Sequence, residues 1–95
     1  SLFYFINHYL RLTTKMNFTV FSKKGCSYCE KVKKVLELTS SSFVVYTLGE
    51  HFDEKAFTDE FGYGTTFPQV VCDGKTIGGT VETVKFLKEQ KIISV

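Results

Sequence analysis

Two cysteines three residues apart, Cys26 and Cys29, enclose Ser27 and Tyr28. This Cys-x-x-Cys spacing suits thiol–disulfide exchange or half of a zinc site. A structural zinc site wants four ligands. Cys72, His8 and His51 are the other candidates, and they supply no second close-spaced pair. His8 reads instead as a solvated or packed histidine. An inert core pair would not explain why Gly25 and the cysteines sit where a strand-like run gives way to a helix. A redox pair fits that position best.

In this reading Cys26 stands at or just before the first helical turn. It faces unpaired N–H groups and the positive end of the helix dipole. Both favour the thiolate, the form that attacks disulfides, and cysteines so placed titrate at roughly 3.5–7.5. Cys29, one turn on, shares that side of the helix and its apolar face. It is expected to be more buried and less ionised. Cys26 then attacks, and Cys29 resolves the mixed disulfide. Lys23 and Lys24 add positive charge beside the thiolate. Cys72 follows Val70-Val71 and reads as a small core residue.

The elements around the pair can be read from hydrophobic period and turn residues. Asn17–Ser22 is strand-like, with Phe18, Val20 and Phe21. A helix runs from about Ser27 to Thr39, with Cys29, Val32 and Leu36 on one face. Lys31, Lys33 and Lys34 are expected to face outward, with Glu30–Lys34 as an i,i+4 pair. Thr39 to Ser42 turns the chain into a second strand, Phe43–Leu48. Asp53 is placed to cap a second helix carrying Ala56, Phe57 and Phe61, stopped by Gly62. Gln69–Cys72 is a third strand. Asp73-Gly74 signals a hairpin into a fourth, Lys75–Ile77. Gly78-Gly79 breaks it, and Thr80 is the expected cap of a last helix carrying Val84 and Leu87. The order is β-α-β-α-β-β-α. A βαβ start implies a right-handed parallel crossover, and the hairpin adds an antiparallel edge. The fold class is α/β, a four-stranded mixed sheet with helices on both faces.

Ninety-five residues allow one small domain. The hydrophobic share of 43% and aromatic share of 16% argue for a globular core and against disorder. Three cysteines do not make a disulfide-stapled secreted domain. No apolar run approaches the ~20 residues of a membrane span. The net charge of +2 resides in Ser1–Lys15, which holds Arg11, Lys15 and no acid. Residues 16–95 are neutral, which disfavours a nucleic-acid binder. Leu2, Phe5, Ile6, Tyr9 and Leu10 have helical spacing, so an added helix or dimer contact is one reading of that segment. It fits a signal peptide poorly, because its basic residues follow the apolar run. The favoured reading is an extension, or a non-native segment, ahead of a natural start at Met16. The domain proper is then 16–95.

Three stretches carry a family resemblance. They are Phe21-Ser22-Lys23-Lys24-Gly25-Cys26-Ser27-Tyr28-Cys29, Thr66-Phe67-Pro68-Gln69-Val70, and Asp73-Gly74-Lys75-Thr76-Ile77-Gly78-Gly79. In this order and spacing they resemble the glutaredoxins, over essentially Met16–Ile93. The resemblance implies the thioredoxin fold and a cis Phe67–Pro68 bond. It also implies a glutathione cleft. Lys23 would pair with a carboxylate of glutathione. Thr66, Phe67 and Pro68 would bind its cysteinyl part through the Phe67 backbone, as an added strand would. Gly79 would allow close approach. Thr80 opens the last helix, where the N–H groups of Val81 and Glu82 suit the γ-glutamyl carboxylate. Tyr28 would flank the thiolate.

Some positions depart from the family pattern. Ser27 stands where many members have proline, and its hydroxyl could bond the thiolate. Val81 stands where a polar residue is common. Thr65 replaces an arginine of some relatives, and Lys55 could supply that charge. A thioredoxin itself would have Gly-Pro between the cysteines and a tryptophan before them, and this chain has no tryptophan.

The resemblance implies a cytoplasmic, monomeric oxidoreductase that uses glutathione as co-substrate. Its expected partners are glutathionylated or disulfide-containing proteins, with neither nucleic acid nor membrane. Two alternatives stay open: a dimer binding [2Fe-2S] with glutathione as co-ligand, prompted by Ser27, and a dedicated electron donor to one reductase.

Overall fold

The structure is a computed structural model and describes residues 16–90. The readings of Ser1–Lys15 lie outside the described residues. Four strands form one sheet: β1 (Asn17–Ser22), β2 (Ser42–Thr47), β3 (Gln69–Cys72) and β4 (Lys75–Gly78). Three helices join them: α1 (Ser27–Leu38), α2 (Glu54–Phe61) and α3 (Thr80–Glu89). This is the expected order, and boundaries differ by a residue. β2 is shifted to Ser42–Thr47, and β4 includes Gly78.

The sheet order is β2-β1-β3-β4. β1 pairs parallel with β2 and antiparallel with β3, and β3 pairs antiparallel with β4. β4 therefore runs in the direction of β1. α1 follows β1 and α3 follows β4, so both helices start at the same edge of the sheet. That edge carries the cysteine pair.

Strand alternation separates two cores. Phe18, Val20, Val70 and Cys72 bury on the face covered by α1 and α3, with Val32, Leu36 and Leu87. Their register is Phe18 opposite Cys72 and Val20 opposite Val70. The opposite face carries Phe21, whose ring meets Tyr46, Phe52 and Phe61. Burying one such side chain contributes about 1.5–3 kcal/mol. An exposed ion pair contributes about 0–1 kcal/mol. Apolar burial, not surface charge, therefore holds the helices to the sheet.

Two expected charge placements are corrected. Glu30 pairs with Lys33, not Lys34, and Lys33 is half-buried rather than outward-facing. The i,i+3 spacing suits this pair equally well.

Turn chemistry behaves as the residue types require. Asp73 at φ 49° and Gly74 at φ 84° make a two-residue hairpin turn of the kind that favours Asp-Gly. The Ala56 N–H donates to Asp53 Oδ1 at 2.8 Å, so Asp53 caps α2, and Gly62 ends it at φ 100°.

The start of α3 departs from expectation. Gly79, not Thr80, is the N-cap. Its N–H donates to Glu82 Oε1 at 2.8 Å. Thr80 is the first helical residue, and its hydroxyl is engaged elsewhere. Thr83 donates its hydroxyl proton to the Gly79 carbonyl at 2.8 Å.

Asp53→Ala should lower the unfolding free energy by about 1 kcal/mol. Denaturant titration checks this, with the midpoint falling and the slope unchanged.

Candidate active site

β1 ends at Ser22, and the chain turns through Lys23–Gly25 to place Cys26 at the N-cap of α1. Cys26 has extended backbone angles, φ −106° and ψ 106°, as an N-cap requires. The Cys29 N–H donates to Cys26 Sγ at 3.2 Å. The bond to the sulfur thus comes from the backbone, not from the Ser27 hydroxyl. Cys26 is partly exposed, whereas Cys29 is fully buried behind it. The two are disulfide-linked, with Cα atoms 5.2 Å apart.

Three segments meet around Cys26, joined pairwise. The Lys23 ammonium lies 5.4 Å from the Phe67 ring centroid, tying the turn before the cysteines to the Thr66–Pro68 loop. The Thr80 hydroxyl donates to the Tyr28 carbonyl at 3.0 Å, tying α3 to the first turn of α1. A Cβ on Gly79 would lie 3.5 Å from the Pro68 carbonyl oxygen and 3.2 Å from Glu82 Oε1. The start of α3 therefore lies directly against the proline loop, at a distance a Cβ would also tolerate. The Phe67–Pro68 bond is cis, as the resemblance implied.

Of the expected residues, Tyr28 and Val81 are well exposed, Phe67 is half-buried and Pro68 is buried. Thr66 is exposed, and its carbonyl accepts from Gln69 Nε2 at 3.0 Å. The Glu82 carboxylate is occupied by Gly79 N–H, near the positive end of α3. Lys24 pairs with Glu50 at 3.2 Å, whereas Lys23 has no carboxylate partner among the described residues. Lys55 pairs with Asp59 at 2.8 Å, so the charge suggested for it is engaged within α2.

Three supporting residues were not foreseen. Phe57, nearly buried, stacks on Phe67 at 4.2 Å between ring centroids and 14° between planes. Phe52 stacks on Phe67 from 6.3 Å. The apolar face of α2 thus holds the proline loop. Gln69 holds the Thr66 carbonyl from the start of β3. The aromatic spacing on α2 signalled burial but not the partner.

Cys72 lies on the far side of the sheet from this loop, buried in the core as expected. Burial pushes its thiol from the usual 9.0 up to about 11, helped by the adjacent Asp73 carboxylate and by a bond from Sγ to Asp73 Oδ2 at 3.8 Å.

The sequence profile of the glutaredoxins matches residues 18–77. The chain belongs to the glutaredoxin family. It is 35% identical over 78 residues to glutaredoxin-C1 of Arabidopsis thaliana, covering 78% of this chain and 62% of that protein. It is 33% identical over 85 residues to a glutaredoxin of Vernicia fordii, covering 86% of this chain and 82% of that one. The structure superposes on a buckwheat glutaredoxin–glutathione complex with a TM-score of 0.67, at 26% identity, covering 96% of this chain and 86% of that one. Glutaredoxins are thiol–disulfide oxidoreductases with the thioredoxin fold, and the four-stranded sheet is that fold. No helix among the described residues is long and apolar enough to cross a membrane.

The raised Cys72 value has a testable sign. The folded thiol resists ionisation more than the unfolded one, so its contribution to stability is full below pH 9 and is lost as pH rises toward about 11. The difference in unfolding free energy between wild type and Cys72→Ala should therefore shrink across that interval. Denaturant titrations at a series of pH values check this.

Proposed function

We propose that this glutaredoxin-family chain is a glutathione-dependent thiol–disulfide oxidoreductase acting on protein–glutathione mixed disulfides and on protein disulfides. The observation that carries the reading is the asymmetry of the pair. Cys26 is a partly exposed sulfur at a helix N-terminus that accepts a backbone N–H, and Cys29 is fully buried behind it.

The Cys26 thiolate attacks the glutathionyl sulfur of a mixed disulfide. A Cys26–glutathione disulfide forms, and the substrate thiolate leaves and takes up a proton. A second glutathione thiolate then attacks the glutathionyl sulfur. Oxidised glutathione departs, and the Cys26 thiolate is restored. With a protein disulfide, Cys26 first forms a mixed disulfide with the substrate. Cys29 loses its proton and attacks Cys26 Sγ, releasing the reduced substrate. Two glutathiones then reopen the internal disulfide. The helix end favours the thiolate at each return.

The proposed glutathione groove is formed by Lys23, Tyr28, Thr66, Phe67, Pro68, Gly79, Thr80, Val81 and Glu82. The three pairwise ties among their segments support it, as does the glutathione-bound buckwheat relative. The N–H groups at the start of α3 suit a carboxylate. A monomer in the cytoplasm belongs to the same proposal, because the cycle needs a reducing glutathione pool.

The [2Fe-2S] alternative is less well supported by the donor set. Cys29 and Cys72 are buried, and the described residues hold no cluster of three or more His, Cys, Asp or Glu able to bind a metal. Among the described residues Cys26 is the one cysteine that is not buried, so this alternative takes its other ligands from a second chain and from glutathione.

Cys26→Ser should abolish reduction of both substrate types. Cys29→Ser should keep mixed-disulfide reduction and lose most protein-disulfide reduction. A mixed-disulfide assay coupled to glutathione reductase, run beside a protein-disulfide assay, checks both. Loss of mixed-disulfide reduction in folded Cys29→Ser protein would overturn the role assignment.

A further inference from the structure

We propose that the seam between α1 and α3 docks acidic segments of the proteins whose disulfides Cys26 attacks. This names a substrate class for the site and rests on the oxidoreductase reading above.

The two helices start at one sheet edge and pack against each other. Helical spacing puts Tyr28, Lys31, Val35 and Leu38 on one flank of α1. It puts Val81, Val84, Lys85 and Lys88 on one flank of α3. A groove lined by Thr80, Val81, Val84, Lys85 and Lys88 runs along that flank. The Thr80–Tyr28 hydrogen bond joins the heads of the two flanks beside Cys26. The seam thus begins at the nucleophile and leads away from it.

Its chemistry is apolar and basic. Tyr28, Leu38 and Val81 are 57%, 74% and 73% exposed, and Tyr28 and Val81 also belong to the proposed glutathione groove at the head of the seam. Among the described residues Lys31, Lys85 and Lys88 form no ion pair with a carboxylate, in contrast to Lys24, Lys33 and Lys55. Lys31 stands 4.8 Å from the Tyr28 ring centroid, which keeps its charge at the mouth of the seam.

The acids of both helices lie on the other flanks. Glu30 and Glu37 share the side of α1 opposite Tyr28, where Lys33 takes Glu30. Glu82 and Glu89 lie opposite Val84 and within helical reach of Lys85, and Gly79 N–H takes Glu82. A second copy placed on this face would set lysine against lysine. A segment with an apolar residue flanked by Asp or Glu matches both the strip and its charge. Such matching acts chiefly on encounter rate and partner choice.

The test uses two glutathionylated peptides of equal length, one with Asp and Glu around the cysteine and one with Asn and Gln. Wild type and Lys85→Glu/Lys88→Glu are compared at low and high ionic strength. Neither lysine belongs to the proposed groove for glutathione. Wild type should favour the acidic peptide by roughly tenfold in kcat/KM at low salt, with the preference falling as salt rises. The variant should lose or invert the preference. Its rate on a small uncharged mixed disulfide of glutathione should stay unchanged.

Equal kcat/KM for the two peptides in wild type, or an undiminished preference in a folded variant, overturns the proposal. So does a concentration-dependent dimer that the variant dissolves, which would give the face to a second copy. Failure of wild type on the small mixed disulfide overturns the oxidoreductase reading instead. Fluorescence titration with the unmodified peptides still decides the docking surface in that case. The salt dependence of wild type decides it if the variant does not fold.

Discussion

The bond from Cys29 N–H to Cys26 Sγ is the contact on which the site depends. A helix start leaves its first N–H groups without partners, and Ser, Thr, Asp or Asn commonly satisfies one of them. Here a sulfur does so. An ionised acceptor makes the stronger hydrogen bond, so deprotonating Cys26 strengthens the cap, and the cap in turn favours deprotonation. The proposed nucleophile is therefore not attached to a finished helix. It is the group that finishes it. The backbone that positions Cys26 also buries Cys29 one turn on, which sets the different exposure of the two sulfurs.

The rest of the fold keeps that helix start in company. Strand directions bring the beginnings of α1 and α3 to one sheet edge, so two positive dipole ends face the same solvent. The Thr80 hydroxyl fastens them together, and its engagement with Tyr28 leaves the N-cap position to Gly79. The opposite face of the sheet contributes through α2, whose Phe57 stacks on Phe67 and so holds the proline loop. A short helix remote from Cys26 in sequence thereby supports the proline loop.

Much of this was legible in the sequence because it depends on neighbours along the chain. Hydrophobic period located the elements. Asp53 and Asp73-Gly74 marked a cap and a turn by local backbone chemistry. The strand–Gly–Cys step placed Cys26 at a helix start. What was not legible depends on contacts across the fold. Thr80 is a good cap by type, and only the Tyr28 carbonyl, 52 residues away, diverts it. Glu30 has Lys33 and Lys34 both within helical reach, and spacing alone cannot choose between them. Phe57 reads as buried from its period, but the identity of the ring it meets is a tertiary fact. Gln69 looks like a strand residue, and its reach back to the Thr66 carbonyl follows from the loop path rather than from its type.

Charge in this chain is separated from stability, and that separation is informative. The net +2 belongs to the first fifteen residues, and residues 16–95 are neutral. The three ion pairs among the described residues all involve exposed or half-exposed side chains, so they add little beside the buried core. Lysines that do not serve the core are free to serve encounters. Lys23 is held against Phe67, and Lys31 against Tyr28, each by an aromatic face rather than by a carboxylate. An aromatic partner orients a cation without cancelling its charge. Positive charge therefore survives at Lys23 and Lys31, before and after Cys26 in sequence, where the proposed thiolate would form and an anionic tripeptide would arrive. Whole-chain charge could not have shown this, because the acids that balance these lysines are spent elsewhere. Glu50 holds Lys24, Glu30 holds Lys33, and Asp59 holds Lys55.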